Sequence, residues 1–344
     1  MASLRPLPFA FAVIVAAALM PPSAVAQLRT DYYANICPNL ETIIRSSVKQ
    51  SMAQSPISGP AALRLFFHDC AVRGCDASIL IVNSNGDDEW RNSDNQSLKP
   101  EGFQTIMNAK AAVDSDSQCK YKVSCADILA LAAREAVYQV QRSSTTCIAN
   151  PSSMTPTPLE LECGWSGGPN YPVELGRYDG RLSTRDSVVL PHANFNLDQL
   201  NSYFAGLGFT QTEMIALSGG HTIGAADCPF FQYRIGTDPT MDTAFADQLR
   251  STCNANPTSG FAFFDDTVGG FDNSYFRKLQ SGRGLLGSDQ VLYSDTRSRA
   301  TVNNYATNQG AFFADFVMAM TKLGRVGVKT AATGEIRRDC RFPN

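Results

Sequence analysis

Residues 63–76 read LRLFFHDCAVRGCD, which places one of the chain's three histidines in an apolar segment. If residues 61–70 form a helix, Arg64 and His68 share one face, with Phe67 beside them. Polar groups on an apolar face cost free energy unless they meet polar partners. The pair is therefore either a hydrogen-bonded core histidine beside a surface arginine, or a general acid/base beside a fixed cation that faces a buried cavity.

The residues that follow His68 are rich in oxygen ligands. Asp69, Asp76 and Ser78 fall within one short loop, and Gly74 allows backbone carbonyls to turn inward. Carboxylates, carbonyls and a hydroxyl are the ligands that Ca²⁺ prefers in proteins. The spacing differs from that of an EF-hand, so the loop predicts a calcium site of another kind.

The other two histidines lie in different settings. His221 follows a helical run and two glycines in residues 217–224, LSGGHTIG, where backbone can approach a bulky group. Its imidazole can ligate a metal or a haem iron, or it can cap the helix C-terminus. Further oxygen-bearing residues follow without a spacing that marks a site: Thr222, Asp265, Thr267 and Asp272. His192 lies in the turn-like segment 190–194, LPHAN, and is predicted to be on the surface.

The first 26 residues have the pattern of a secretory signal peptide. Arg5 is the only charge, an apolar run extends from Phe9 to Met20, and the small residues Ala24-Val25-Ala26 follow. The apolar run is shorter than the roughly 20 residues that a membrane-spanning helix needs. We therefore predict a signal peptide over residues 1–26, and residues 27–344 as the folded domain.

Composition excludes some classes of protein. The chain has 344 residues and a formal net charge of −3, a mild acidity that gives no reason to expect nucleic-acid binding.

All ten cysteines lie after the signal peptide, and an even number in a secreted chain indicates disulfides. Spacing alone leaves their connectivity open. Residues 142–164 are rich in Ser, Thr and Pro and predict a long surface loop.

Helical periodicity dominates the rest of the chain. Ser124 with Asp127 and Thr210 with Glu213 have the pattern of a capping box, each before an apolar run. Residues 312–323 form another amphipathic run, and alternating strand patterns are scarce. The sequence therefore predicts a mostly α globular protein.

Several motifs, in order along the chain, resemble those of the secreted plant haem peroxidases of the horseradish type, also called class III. They are residues 27–38 QLRTDYYANICP, 63–70 LRLFFHDC, 123–129 VSCADIL, 175–180 LGRYDG, 216–224 ALSGGHTIG, 271–275 FDNSY, 284–290 GLLGSDQ and 340–341 CR. The match covers essentially the whole chain after the signal peptide. The resemblance implies a mostly α, two-lobed fold with haem b between a distal and a proximal lobe.

The resemblance also implies roles for both motif histidines. His221 would be the axial iron ligand, and Asp289 would accept a hydrogen bond from its other ring nitrogen. On the distal side, His68 would exchange a proton with hydrogen peroxide while Arg64 stabilises negative charge. Two further distal residues are implied: Asn95 would hold the His68 tautomer, and Phe67 would pack over the haem.

Two Ca²⁺ sites are implied in the same way. The distal site would use Asp69, Val72, Gly74, Asp76 and Ser78, with Glu89 reached through water. The proximal site would use Thr222, Asp265, Thr267, Gly270 and Asp272. At the proximal site the chain departs from the family, which has an aspartate eight residues before the one at Asp272, where this chain has Phe264. Asp265 restores the match if one residue is missing from the loop.

The resemblance sorts eight cysteines into four disulfides. The pairs are Cys37 with Cys119, Cys70 with Cys75, Cys125 with Cys340, and Cys228 with Cys253. Cys147 and Cys163 remain, and they bracket the loop at residues 142–164. We predict that they form a fifth disulfide, because the compartment is oxidising.

The implied activity is that of a donor:hydrogen-peroxide oxidoreductase, which oxidises small phenolic donors by one-electron steps. We expect a monomer, secreted to the cell wall or apoplast, without membrane or nucleic-acid partners. The alternative is a haem- or calcium-binding cell-wall structural protein without turnover. The presence of all the implied catalytic residues argues against it: Arg64, His68, Asn95, His221 and Asp289. Near the donor entrance, Ala193 replaces the family's usual proline, and Phe230 matches a common aromatic residue.

Overall fold

A computed structural model describes residues 28–138, 167–257 and 259–344. Within these ranges, the α-helices are α1 Leu40–Gln54, α2 Ser58–Val72, α3 Pro100–Ser115, α4 Cys125–Tyr138, α5 Leu197–Gly206, α6 Gln211–Ser218, α7 Thr243–Ala255, α8 Ser274–Gln280, α9 Gly287–Ser294, α10 Thr296–Thr307 and α11 Gln309–Leu323. Strands β1 (Ala225–Asp227) and β2 (Phe261–Phe263) pair antiparallel. The predicted mostly α fold is confirmed. The predicted signal peptide (1–26) and loop (142–164) lie outside the described residues.

No helix in the described ranges is both long enough and apolar enough to cross a membrane.

Helices α1 to α4 form the distal lobe. Helix α2 packs against α3 and α4, and α1 packs against the same two helices. Helix α4 is buried on almost every side, with Ile128, Leu129 and Leu131 fully enclosed, because small alanines between them allow close approach on all faces. Helix α2 is therefore supported along its length, which fixes the direction of the side chains that it projects.

Helices α5 to α11 form the proximal lobe, where α6 packs against α5, α10 and α11. A cluster of aromatic rings fills its centre: Phe271, Phe276, Tyr305, Phe312 and Phe316. The 3-10 turn Gly219–Ile223 lies directly on this cluster. A Cβ atom at Gly219 would lie 2.3 Å from a ring carbon of Phe312, so only glycine fits there. The bulky group that the backbone approaches at this position is thus a ring of the protein itself.

The predicted capping box at the start of α6 is complete, whereas the one at α4 is only half formed. Ser124 Oγ accepts from Asp127 N at 3.1 Å, but Ser124 N donates to Tyr33 OH instead of to the Asp127 carboxylate. That carboxylate accepts from Tyr33 OH and from Arg177 Nη1, both at 2.9 Å. The prediction of a reciprocal box at α4 was therefore wrong, because tertiary partners hold the acid.

Four disulfides are present among the residues that the structure describes, and they are the four that the resemblance implies. Their Cα–Cα distances are 4.7 Å for Cys37–Cys119, 4.0 Å for Cys70–Cys75, 5.7 Å for Cys125–Cys340 and 5.8 Å for Cys228–Cys253. The second closes the loop after α2, and the third ties the C-terminal segment to the start of α4. Both therefore restrain segments next to the distal helix.

The predicted fifth disulfide, Cys147–Cys163, lies outside the described residues and stays a prediction. Closing a loop of about 15 residues stabilises a fold by about 3 kcal/mol in the chain-entropy estimate. We expect the double replacement Cys147→Ser with Cys163→Ser to lower the melting temperature while retaining peroxidase turnover. A thiol titration of the denatured, unreduced wild-type protein should detect no free thiol, and two free thiols would contradict the prediction.

Candidate active site

The distal histidine is held by one asparagine. His68 Nδ1 lies 2.7 Å from Asn95 Oδ1, and Asn95 Nδ2 donates to the backbone carbonyl of Glu89 at 2.8 Å. Because that carbonyl can only accept, the amide oxygen of Asn95 faces the histidine and accepts its Nδ1 hydrogen. The arrangement leaves a lone pair on His68 Nε2, the atom that can accept a proton.

The charge state of His68 follows from its surroundings. Helix α2 places Arg64 one turn before it, and Arg64 Nε donates to His68 Nε2 at 3.1 Å. Burial, and then the nearby Arg64 charge, lower the pKa of His68 to about 3. The hydrogen bond with Asn95 raises this pKa, but it has a smaller effect. The imidazole is therefore neutral near neutral pH, which is the form that acts as a general base.

Arg64 is held in place by Ser97, a residue that lies outside the motifs shared with the family. Its Nη2 donates to Ser97 Oγ at 2.8 Å, and its Nη1 donates to the Ser97 carbonyl at 3.1 Å. Both bonds reach across 33 positions of the chain, so no local pattern in the sequence signals them. Ser97 therefore fixes the direction in which the guanidinium charge points.

Phe67 lies beside the distal histidine. Its ring meets the His68 ring edge to face at 5.9 Å and stacks on Phe204 of α5 at 6.0 Å. The two aromatic contacts hold the Phe67 side chain at the boundary between α2 of the distal lobe and α5 of the proximal lobe.

His221 is supported by a network of hydrogen bonds centred on Asp289. His221 Nδ1 lies 2.8 Å from Asp289 Oδ1, which also accepts from Tyr275 OH at 2.8 Å. The other oxygen, Oδ2, accepts from the backbone of Leu286 at 3.0 Å. With Nδ1 occupied, Nε2 is the ring nitrogen left for a metal, and the histidine side chain is 41% exposed. The pair has the arrangement of a metal-ligating histidine with a carboxylate behind it.

Two aromatic neighbours of His221 were not predicted. Phe264 stacks on the imidazole at 4.2 Å with the planes 7° apart. Burial, and then the Asp289 charge, raise the pKa of Tyr275 well above its usual range, so this phenol stays protonated and donates to the carboxylate. Tyr275 ends the motif at residues 271–275, which was the only signal for it in the sequence.

The acidic loop after α2 holds oxygens that lack partners. The side chains of Asp69, Asp76 and Glu89 are buried, and the described structure gives no hydrogen bond to either carboxylate oxygen of Glu89 or to Ser78 Oγ. Burial, and then the Asp76 and Glu89 charges, raise the pKa of Asp69. Lys329 Nζ lies 3.4 Å from Asp76, and the charges of Arg73 and Arg337 partly offset the effect of burial on the pKa of Glu89. The loop therefore has the chemistry of a cation site.

No group of three or more His, Cys, Asp or Glu side chains that could hold a metal occurs in the described ranges. The implied distal site relies on two directly bound carboxylates, with a hydroxyl and the carbonyls of Val72 and Gly74 as the remaining ligands. Gly74 has φ +102°, a backbone conformation that favours glycine. The loop thus turns sharply between the two carbonyls.

The second oxygen-rich group follows His221. Thr222 Oγ1 donates to Asp265 Oδ2 at 2.5 Å, and Thr267 Oγ1 lies 3.0 Å from Asp265 Oδ1 and 3.2 Å from Asp272 Oδ1. Gly270 N donates to the Thr267 carbonyl at 2.7 Å. All five residues of the implied proximal set therefore lie together. Asp265 points into the group, and the preceding phenylalanine stacks on the histidine instead.

Comparisons with known proteins cover nearly the whole chain. The family model described as peroxidase matches residues 44–308. Peroxidase 16 of Arabidopsis thaliana is 49% identical, over 92% of this chain and 93% of its own length. Peroxidase 45 of the same plant is 48% identical over 92% and 91%, and Peroxidase 73 is 43% identical over 96% and 98%. The similarity includes both lobes and both site histidines.

Proposed function

The chain belongs to the peroxidase family, and we propose that it is a secreted, monomeric enzyme that uses hydrogen peroxide to oxidise small phenolic donors by one-electron steps. Peroxidase activity and dependence on haem follow from the family. The observation that carries the proposed reaction with hydrogen peroxide is the neutral, oriented imidazole of His68 beside the fixed charge of Arg64. The alternative, a wall protein without turnover, is not favoured, because these groups would have no use in it.

The residues present fit a haem. His221 keeps Nε2 available and its side chain is open, while the Asp289 carboxylate holds the other ring nitrogen. We propose that His221 ligates the iron of haem b and that Phe67 packs against the group. When bound, the haem would supply the redox chemistry, in which peroxide gains two electrons and two donor molecules each give up one.

The distal residues would then handle the proton. His68 Nε2 takes a proton from the peroxide oxygen that approaches, and it delivers that proton to the oxygen that leaves as water. Arg64, held by Ser97, stabilises the negative charge that develops as the O–O bond breaks. Asn95 keeps the hydrogen on His68 Nδ1, so that Nε2 stays the basic nitrogen of the ring.

A direct assay tests the proposal. Purified protein reconstituted with haem should oxidise guaiacol only when hydrogen peroxide is supplied, and light scattering should give the mass of one chain. Haem binding without guaiacol oxidation would instead support the non-enzymatic alternative. Secretion is tested separately by N-terminal sequencing of the protein recovered from medium, which we expect to begin at Gln27.

We also propose two Ca²⁺ ions, one in each oxygen-rich group. The unpartnered oxygens of Glu89 and Ser78 and the buried carboxylates of Asp69 and Asp76 support the distal ion. The five residues that converge around Asp265 support the proximal ion, with Asp265 as a ligand. Both ions would stabilise the fold, because they bind the folded chain and not the unfolded one.

Removing calcium should lower thermal stability. At a calcium concentration about 100 to 1,000 times the Kd, each ion contributes about 3–4 kcal/mol. For a domain of this size we expect chelation to lower the melting temperature by about 10 °C or more. Calorimetry with and without chelator measures the shift, and added Ca²⁺ should reverse it. An unchanged melting temperature in protein that metal analysis shows to be calcium-free would contradict both sites.

A further inference from the structure

Residues 190–195 connect the supports of the two site histidines. On the proximal side, the Ala193 carbonyl accepts from Ser288 N at 2.9 Å and from Tyr233 OH at 3.1 Å. Ser288 directly precedes Asp289, the partner of His221. The segment is therefore anchored beside the residue that holds the proximal histidine.

The neighbouring residue reaches the distal side. His192 Nε2 lies 3.8 Å from Asp94 Oδ2. Asp94 directly precedes Asn95, the partner of His68. Ala193 thus contacts the residue before Asp289, and the adjacent His192 contacts the residue before Asn95. The segment therefore reaches both lobes and forms a border between them, beside the supports of His68 and His221.

This border is open to solvent and has both an aromatic and a charged part. The His192 ring stacks on Phe195 at 5.2 Å with the planes 1° apart, yet the side chain stays 58% exposed. The Asp94 side chain is 30% exposed. By comparison, Asp227, which lies in another link between the lobes, is directly paired with Lys99 at 2.8 Å. Asp94 is instead 3.8 Å from its partner His192, which is charged only when it is protonated.

We propose that His192 and Asp94 form a selective rim at which phenolic donors approach, and that the Asp94 carboxylate disfavours donors that carry a carboxylate. This inference rests on the proposed function and names the specificity of its donor site. The aromatic surface of His192 and Phe195 suits a phenol ring. A fixed negative charge beside that surface lowers the local concentration of anions and slows their approach.

A matched donor pair isolates the charge. Guaiacol and vanillate share the methoxyphenol ring, and only vanillate carries a carboxylate. The measured quantity is kcat/KM for vanillate divided by kcat/KM for guaiacol, relative to wild type, so that intrinsic differences in reactivity cancel. One unit of charge at about 8 Å in a partly solvated site should change this ratio about fivefold.

Three variants shift the rim charge in known directions. Asp94→Asn and His192→Lys should each raise the ratio about fivefold, and His192→Glu should lower it by a similar factor. In about 0.5 M salt these effects should largely vanish, since the screening length falls to a few ångströms. Vanillate dissociation constants of the resting holoenzyme, from absorbance titrations, should move in the same order. A merely structural role would not predict this charge order or its salt dependence.

The rate of reaction with peroxide is measured separately for each variant, so that a disturbance of the turn that holds Asn95 is detected apart from the donor ratio. If Asp94→Asn disturbs that turn, the two His192 variants still test the proposal. Equal changes for both donors, or ratios that salt does not alter, would overturn the selective rim. If the wild-type holoenzyme oxidises neither donor, the proposed function itself fails, which is a distinguishable result.

Discussion

Replacing His68 with alanine is expected to slow the reaction with hydrogen peroxide by about 10²–10⁴-fold while the haem stays bound. The reason is that His68 Nε2 is the neutral base that accepts the peroxide proton, whereas iron ligation belongs to His221. Rapid mixing of the resting holoenzyme with peroxide measures this rate directly, without a donor. Absorbance in the Soret region measures haem content in the same sample.

The matched control is Gln104→Ala, which alters an exposed side chain on α3 and should react at wild-type speed. Asn95→Leu offers a graded test, because it leaves His68 in place but removes the oxygen that holds Nδ1 at 2.7 Å. We expect an intermediate rate. The assignment of roles would be wrong if His68→Ala lost its haem or reacted as fast as wild type.

Replacing His221 with alanine should have the opposite pattern, with loss of haem affinity as the primary effect. Removing only the carboxylate behind a metal-ligating histidine commonly costs about 10–100-fold in affinity or activity. We therefore expect about that loss from Asp289→Asn, and a greater one from His221→Ala. Titration of apoprotein with haem measures both affinities. Wild-type affinity in His221→Ala would show that another residue ligates the iron.

The distal helix illustrates what the sequence alone could predict. Arg64 and His68 lie four positions apart, and helical periodicity places them on one face, as the structure shows. Their partners could not be found that way. Asn95 and Ser97 lie 27 and 33 positions away from the side chains that they hold, and only family resemblance pointed to the first.

Contacts between distant elements account for the remaining differences. Tyr275 donates to Asp289 from another helix, and His192 reaches Asp94 across almost a hundred positions of sequence. At α4, the local capping pattern was outcompeted by Tyr33 and Arg177, which bind the same carboxylate. Periodicity and capping describe neighbours along a helix, and they carry no information about partners that the tertiary fold supplies.

Glu89 faces two parts of the molecule at once. Its backbone carbonyl holds Asn95, and its carboxylate lies unpartnered in the acidic loop. A cation that favours one position of Glu89 would also favour one position of the asparagine and of His68. If the bound cation raises the affinity for a substrate at the oriented imidazole by some factor, thermodynamic reciprocity requires that the substrate raise the affinity for the cation by the same factor. Metal retention in this protein would accordingly depend on the fraction of molecules that have substrate bound.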